Sequence, residues 1–362
     1  MTGTGWADEA LGLVLRRAAR TADLVGDRFP LYADPADGRW TTTGRGSWTG
    51  GFWAGLLWLR AGRTGRDADR AAAAAVTARL APWAEADTAA RGLILWYGTA
   101  LAPGDAAAGA LRERAARAAA GAFDPELGLV PWGSALGGAR LRARVDGVPG
   151  LVPLLASAGP EGRAVAARHL HRHLDLCLPG GGTGRPVPAW RLDRTGGWLP
   201  ETDPAPGWTR GEAWLLLAVA DALLLARAPL PSTDRLVRAA GHLLAECAML
   251  VGPPVPPADA HRAGGPLDTS AAAVTAVACL KLALVPDAPW AAACASRAGE
   301  VLRRLARDHL TRPRGTRPAG MLLDGCYDAH GGTAVRHELV WGDFFLALGL
   351  AALLGRVDLR RV

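Results

Sequence analysis

The sequence predicts an all-α fold in which six helical hairpins close into an (α/α)6 barrel, a six-hairpin toroid spanning residues 1–362 as a single domain. Three observations carry this. About twelve segments place apolar residues at three-and-four spacing, the signature of amphipathic helices. The connections between them alternate between short and long, as paired helices require. Sustained period-two alternation is absent, apart from short strand-like pieces at 128–132, 140–145 and 187–192.

Taken in order, 9–24 sets Leu11, Leu13, Val14, Ala18, Ala22 and Leu24 on a helical repeat. Residues 27–47 are polar, turn-rich and too irregular for a helix. The helical pattern resumes at 48–59, where Phe52, Leu56 and Leu59 share one side, and continues at 67–81. Further helices are predicted at 92–101, 106–120, 148–157, 162–177, 208–228, 232–250, 268–284, 289–310 and 341–354, mostly bounded by Gly, Pro or Asp. Half of the 362 residues are hydrophobic, enough for one large core, and no low-complexity linker divides the chain.

Composition narrows the function. The amino terminus lacks the basic and apolar regions of a secretory signal. The longest apolar run, 213–226, carries Asp221 and is too short to cross a bilayer, so a cytoplasmic protein with no membrane partner is expected. Cys177, Cys247, Cys279, Cys294 and Cys326 are odd in number and show no CxxC spacing, which favours buried thiols over disulfides or metal ligands. His169 and His173 share a helix face without a third ligand, and a packed or solvated face accounts for them better than a metal does. The glycine run at 180–184 is not followed by Lys-Ser/Thr and is no phosphate loop. No metal or organic cofactor is expected. Lys and Arg number 41 against 34 Asp and Glu, a net +7; this is mild and spread along helices, which argues against a nucleic-acid partner. Arginine near a cleft suits a small anionic ligand, because the guanidinium pairs carboxylates bidentately.

The fourteen tryptophans are the most informative residues. Trp58, Trp83, Trp96 and Trp290 lie on or beside helical patterns and read as core. Trp40, Trp48, Trp132, Trp190, Trp198 and Trp208 fall in or beside the irregular connections, where indoles offer flat apolar faces for sugar rings. Asp146, in Arg144-Val145-Asp146-Gly147-Val148-Pro149-Gly150, precedes an apolar helix, so its carboxylate is expected at that helix's N-terminus, either as a plain cap or as a fixed functional group. Asp268 and Asp343 also read as residues that begin helices.

Several pieces in one order carry a family resemblance. Ser47-Trp48-Thr49-Gly50-Gly51-Phe52-Trp53-Ala54-Gly55, Val145-Asp146-Gly147 running into Pro153-Leu154-Leu155, Gly207-Trp208-Thr209-Arg210-Gly211-Glu212-Ala213-Trp214, Asp268-Thr269-Ser270-Ala271-Ala272-Ala273 and Val340-Trp341-Gly342-Asp343-Phe344-Phe345 resemble motifs of the unsaturated glucuronyl hydrolases, glycoside hydrolase family 88. Pro131-Trp132-Gly133 is a weaker match. The resemblance implies an (α/α)6 barrel and hydration of the C4–C5 double bond of a 4,5-unsaturated uronic acid. It implies Asp146 as general acid and base, and Trp48, Trp132, Trp208, Arg210 and Trp214 as substrate-pocket positions. Arg210 and Trp214 lie one helical turn apart, although a structural ion pair accounts for Arg210 equally well.

The departures are equally specific. A His-Asp-(Leu/Ile)-Gly-Phe motif of the family is replaced by Ala89-Ala90-Arg91-Gly92-Leu93, so its second carboxylate is missing. Asp87 is the nearest substitute, and a solvated loop carboxylate is its alternative. The Thr-His-Gln-Gly segment before the Trp-x-Arg-Gly motif is also absent, as is a His near Pro188, Ala189 and Trp190. Trp190 remains a candidate sugar-facing residue. Arg336 and His337, in a Gly331-Gly332 loop, are candidates for closing over a substrate carboxylate. The alternatives to a hydratase acting on unsaturated uronides are a relative that takes a different sugar-derived substrate in specialised metabolism, and a sugar-binding protein without catalysis.

Overall fold

Twelve α-helices are present among the described residues: α1 (Gly5–Val25), α2 (Gly50–Thr64), α3 (Asp67–Ala78), α4 (Arg91–Ala100), α5 (Ala106–Gly121), α6 (Leu151–Ala156), α7 (Pro160–Cys177), α8 (Thr209–Leu224), α9 (Thr233–Glu246), α10 (Thr269–Leu282), α11 (Ala291–Arg304) and α12 (Val340–Leu353). This computed structural model describes residues 3–178, 180, 183–225, 233–313 and 316–362. Each predicted helix has its counterpart. Residues 226–228 of the predicted 208–228 helix, residue 232 of the next one, and Gly181 and Gly182 of the glycine run lie outside the described residues.

The helices divide by burial. The even-numbered ones are apolar almost all round: in α12 every residue from Val340 to Ala351 is buried, and in α10 nearly all are. The odd-numbered ones are one-sided; α9 buries only Leu236, Ala239, Ala240, Leu243 and Leu244, a three-and-four stripe. Contacts follow this division. Helix α2 packs on α4, α4 on α6, α6 on α8, α8 on α10, α10 on α12, and α12 returns to α2, while the odd-numbered helices pack against the outside of this ring.

Close approach in the ring depends on missing side chains. A Cβ at Gly51 of α2 would lie 2.3 Å from the Leu93 carbonyl oxygen, and one at Gly92 of α4 would lie 2.0 Å from the Leu151 nitrogen. Aromatic rings fill the middle. Phe52, Tyr97, Phe344 and Phe345 meet at centroid distances of 5.0–5.5 Å, with Trp214 5.4 Å from Phe345.

The all-α expectation needs correction, because the long connections hold two small antiparallel sheets. Strands β1 (Phe29–Ala33), β2 (Trp40–Thr43), β6 (Gly325–Asp328) and β7 (Thr333–Leu339) form one sheet in the order β2-β1-β7-β6. The other is β3 (Arg142–Arg144), β4 (Ala189–Leu192) and β5 (Trp198–Pro200), in the order β3-β4-β5. Two of the strand-like pieces thus appear as β3 and β4. The third, 128–132, reaches only an isolated Asp124–Leu129 bridge. Strand β1 comes from the segment read as irregular and pairs Tyr32 with Leu339 across nearly the whole chain. The predicted Gly331–His337 loop is the turn and start of the β6–β7 hairpin.

A buried ionic cluster ties that hairpin to the helices. Arg17 of α1 donates through Nε and Nη2 to the Glu338 carboxylate, with a shortest contact of 2.7 Å, and Nη2 also donates to Gly38 O. Asp343 does not cap α12; it lies buried beside Glu338 and accepts from the Leu322 N–H. Burial, reinforced by the Glu338 carboxylate, pushes the Asp343 carboxyl well above the usual range. Removing Glu338 strands a buried guanidinium, and Glu338→Ala is expected to cost about 3–5 kcal/mol by urea denaturation. The folded state holds the Asp343 proton more tightly than the unfolded chain does. That stability is therefore complete below the ordinary carboxylate pKa near 4 and is lost as pH rises through the raised value. Asp343→Asn is expected to flatten the fall in stability as pH rises above the ordinary carboxylate range; an unchanged slope would contradict this assignment.

Candidate active site

The long connections and the ends of the even-numbered helices surround one cavity of about 910 Å³, within the range of small-molecule sites. Trp214, one turn into α8 and 1% exposed, joins the lining to the aromatic core. Trp48 comes from the short 3₁₀ turn Ser47–Thr49 ahead of α2 and donates its indole N–H to the Tyr327 hydroxyl at 3.3 Å. Trp208 packs at the start of α8, where Gly211 leaves room: a Cβ there would lie 2.3 Å from the Trp208 ring. Trp132 lines the opposite connection with Arg142, Arg144 and Asp146.

Asp146 sits on the 3₁₀ turn Val145–Gly147, between β3 and α6. It is not at the N-terminus of α6, which begins at Leu151 after Gly150 and receives no side-chain cap. The expectation of a helix-held carboxylate is thus corrected: Arg144 holds it instead, with Nε 2.9 Å from Oδ1 and Nη2 3.1 Å from Oδ2. The Arg144 guanidinium also lies 4.9 Å from the Trp132 ring centroid.

Two histidines support the turn from below. The Val130 N–H donates to His169 Nδ1 at 3.0 Å. The proton therefore belongs on Nε2, which faces the Gly147 carbonyl oxygen at 3.4 Å. His173 Nδ1 contacts the His169 carbonyl oxygen at 2.8 Å. Both rings are buried; burial pushes His169 well below the usual range and His173 down to about 4. The pair reads as packed, neutral imidazoles, and among the described residues no group of three metal-ligating side chains is found.

Arg210 lines the cavity and is locked. Nη1 donates to Asp268 and to the Cys326 carbonyl, and Nη2 to the Tyr327 carbonyl at 2.7 Å, while the guanidinium lies 5.2 Å from the Trp208 ring and 5.6 Å from Trp341. Asp268 caps α10, accepting from the Ser270 and Ala271 N–H groups. Arg210 thus forms a structural ion pair, and it stands at the cavity wall.

Four candidates fall outside the lining. Asp87 accepts from the Ser134 N–H at 3.0 Å, the Ser134 hydroxyl at 2.9 Å and Arg140 Nε at 3.1 Å. Partial burial raises its pKa, but Ser134 and Arg140 outweigh this and hold the carboxyl below the usual range. It is not paired with Asp146. At the place of the missing motif, Ala89 and Ala90 are buried, and a Cβ at Gly147 would lie 3.1 Å from the Ala89 methyl. Trp190 belongs to β4, opposite Ala143. Arg336 is exposed on β7, 3.6 Å from Asp324, and His337 packs edge-on to Tyr32 with Nδ1 2.8 Å from the Val335 carbonyl. Neither belongs to the cavity lining. Trp40 and Trp198 also pack elsewhere, against Arg17 and Arg172. Arg142, Arg144 and Tyr327 line the cavity as well, outside the residues that the motifs point to. The alternation Arg140-x-Arg142-x-Arg144 entering Asp146 was a visible signal; nothing local marked Tyr327.

No protein-family model matches the chain, and no curated protein matches it in sequence. Solved structures do match. An unsaturated glucuronyl hydrolase from Bacillus sp. GL1, described as responsible for glycosaminoglycan degradation, is 23% identical over 96% of each chain with a TM-score of 0.78. An unsaturated glucuronyl hydrolase specific for heparin is 20% identical over 99% of this chain and 100% of its own, with a TM-score of 0.81. An aspartate-to-asparagine variant of the Streptococcus agalactiae enzyme, complexed with dGlcA-GalNAc6S, is 17% identical over 98% and 93%, with a TM-score of 0.73. This chain has their fold.

The histidine pair gives a direct test of the site's geometry. Imidazole resonances of His169 and His173 are expected to stay in the neutral form from about pH 8 down to about pH 5, below the ordinary histidine range. A nitrogen-15 spectrum should place the His169 proton on Nε2. A midpoint near 6.5 for both rings would contradict the burial described.

Proposed function

We propose that this chain hydrates the C4–C5 double bond of a 4,5-unsaturated uronic acid at the non-reducing end of an oligosaccharide, with Asp146 as general acid and then general base. The observation that carries this reading is the joint placement of Asp146, Trp48, Trp132, Trp208 and Trp214 around one cavity. It occurs in a chain with the fold of unsaturated glucuronyl hydrolases. Indole faces suit the C–H faces of sugar rings. The Streptococcus agalactiae variant is complexed with a disaccharide that begins with dGlcA, a ligand of the same class.

The chemistry needs one proton donor beside C4. Protonation there by the Asp146 carboxyl leaves an oxocarbenium-like centre at C5. Water adds to C5 and gives its proton to the Asp146 carboxylate. The resulting hemiketal opens and releases the neighbouring sugar without displacement at its anomeric carbon. Asp87 has no part in these steps, because its carboxylate is held by Ser134 and Arg140 away from the lining.

A second reading, a different unsaturated or uronic sugar, is favoured by the Ala89 and Ala90 methyl groups at the place of the missing His-Asp pair. We also infer that the closed ring of even-numbered helices is the inner wall of an (α/α)6 barrel forming one domain. The free cysteines, four of them buried, suit a cytoplasmic setting.

The test is a panel of 4,5-unsaturated uronyl disaccharides followed by loss of the alkene–carboxylate ultraviolet absorbance. Turnover is expected for at least one member. Asp146→Asn is expected to lower kcat about 10²–10⁴-fold with KM largely kept. No absorbance loss across the panel would overturn the reading, and full activity in the variant would remove Asp146 from it.

A further inference from the structure

The cavity lining holds four arginines, and only some of them can receive a substrate anion. Arg210 has its donors committed to Asp268 and two backbone carbonyls, with a side chain 4% exposed against a fully buried carboxylate. Withdrawing it would strand Asp268. Arg142 is paired with Glu201 at 2.9 Å. Arg262 is exposed at the rim, with no side-chain partner among the described residues to fix its position. Arg144 is different. It is 19% exposed, is laid over Trp132, and is bound to a partner that is itself 17% exposed and inside the cavity.

The substrate of the proposed reaction imposes a matching geometry. Its carboxylate is attached to C5, and the proton goes to C4, the adjacent carbon. A cation serving the first and an acid serving the second must be neighbours. Arg144 and Asp146 are neighbours, in contact through two hydrogen bonds. Both Asp146 oxygens accept from the guanidinium, so the two groups must part before either can serve the substrate.

Resting on the function proposed above, we propose that Arg144 is the residue that takes the substrate's uronate carboxylate, exchanging Asp146 for it on binding. The exchange balances: the guanidinium leaves one carboxylate for another, and the released Asp146 takes a proton from solvent, which it then delivers to C4. Trp132 remains beneath the guanidinium through the exchange and limits its movement to a swing over the indole. Arg144 thereby selects for an acidic sugar, because a neutral one offers nothing to draw it from Asp146.

The experiment compares a 4,5-unsaturated glucuronyl disaccharide with its C6 methyl ester on wild-type protein, Arg144→Gln and Arg144→Lys, by kcat/KM from the ultraviolet assay. Wild type is expected to favour the free acid about ten- to hundredfold, the worth of hydrogen bonds to a charged group. Arg144→Gln should reduce that preference to within about threefold, mainly through the acid's KM, and Arg144→Lys should retain part of it. Thermal melts check that both variants fold. Wild-type turnover with undiminished acid preference in Arg144→Gln would overturn this assignment and leave the proposed function standing. A wild type inactive on the free acid would overturn the function and this inference together.

Discussion

The placement of every group in the cavity depends on the aromatic packing at the middle of the helix ring. Phe52, Tyr97, Trp214, Phe344 and Phe345 come from α2, α4, α8 and α12, four helices far apart in sequence, and meet at about one ring's width. Such rings bury large areas and prefer tilted contacts, so they resist sliding. Trp214 belongs both to this cluster and to the cavity lining. Trp48 lies 6.1 Å from Phe52 and 4.7 Å from Trp341, so the wall is built directly on the core.

Above that core the polar groups divide by how much freedom their burial leaves. Arg17 with Glu338, Lys281 with Asp221, and Arg210 with Asp268 are almost completely buried pairs. Such pairs gain little net stability by forming but lose several kcal/mol when one partner is removed, so they act as fixed joints. Arg17 joins α1 to β7, Lys281 joins α10 to α8, and Arg210 joins α8 to the head of α10 and to β6. The pair of Arg144 with Asp146 is the partly exposed exception, facing the cavity. Its strength is moderated by solvent, and exchange with an incoming anion is a physical possibility there that the buried joints do not share.

The sequence carried the helices because an amphipathic repeat is local. A stripe such as Leu236, Ala239, Ala240, Leu243 and Leu244 is visible in one window. The strands are three to seven residues long, too short for a period-two pattern to stand out, and β1 finds β7 only through long-range pairing. The same division applies to the cavity. Trp48, Trp132, Trp208, Arg210 and Trp214 stand in short Trp- and Gly-bearing pieces that are visible locally in the chain. Trp190, Arg336 and His337 fit the same kind of local pattern but lie on strands outside the lining. Asp87 lies close in sequence to Ala89 and Ala90, whereas Ser134 and Arg140, about fifty positions away, decide where its carboxylate goes.

By itself the sequence determined the twelve helices, the division into short and long connections, the aromatic richness of the connections and the candidacy of Asp146. All of these rest on side chains within a few turns of one another. Only the tertiary structure decided that Arg144 rather than a helix end holds Asp146, that Arg210 is bound to Asp268, that two sheets occupy the long connections, and which tryptophans share the cavity. Those outcomes are contacts between distant segments, with energies set by burial and geometry that no local pattern encodes.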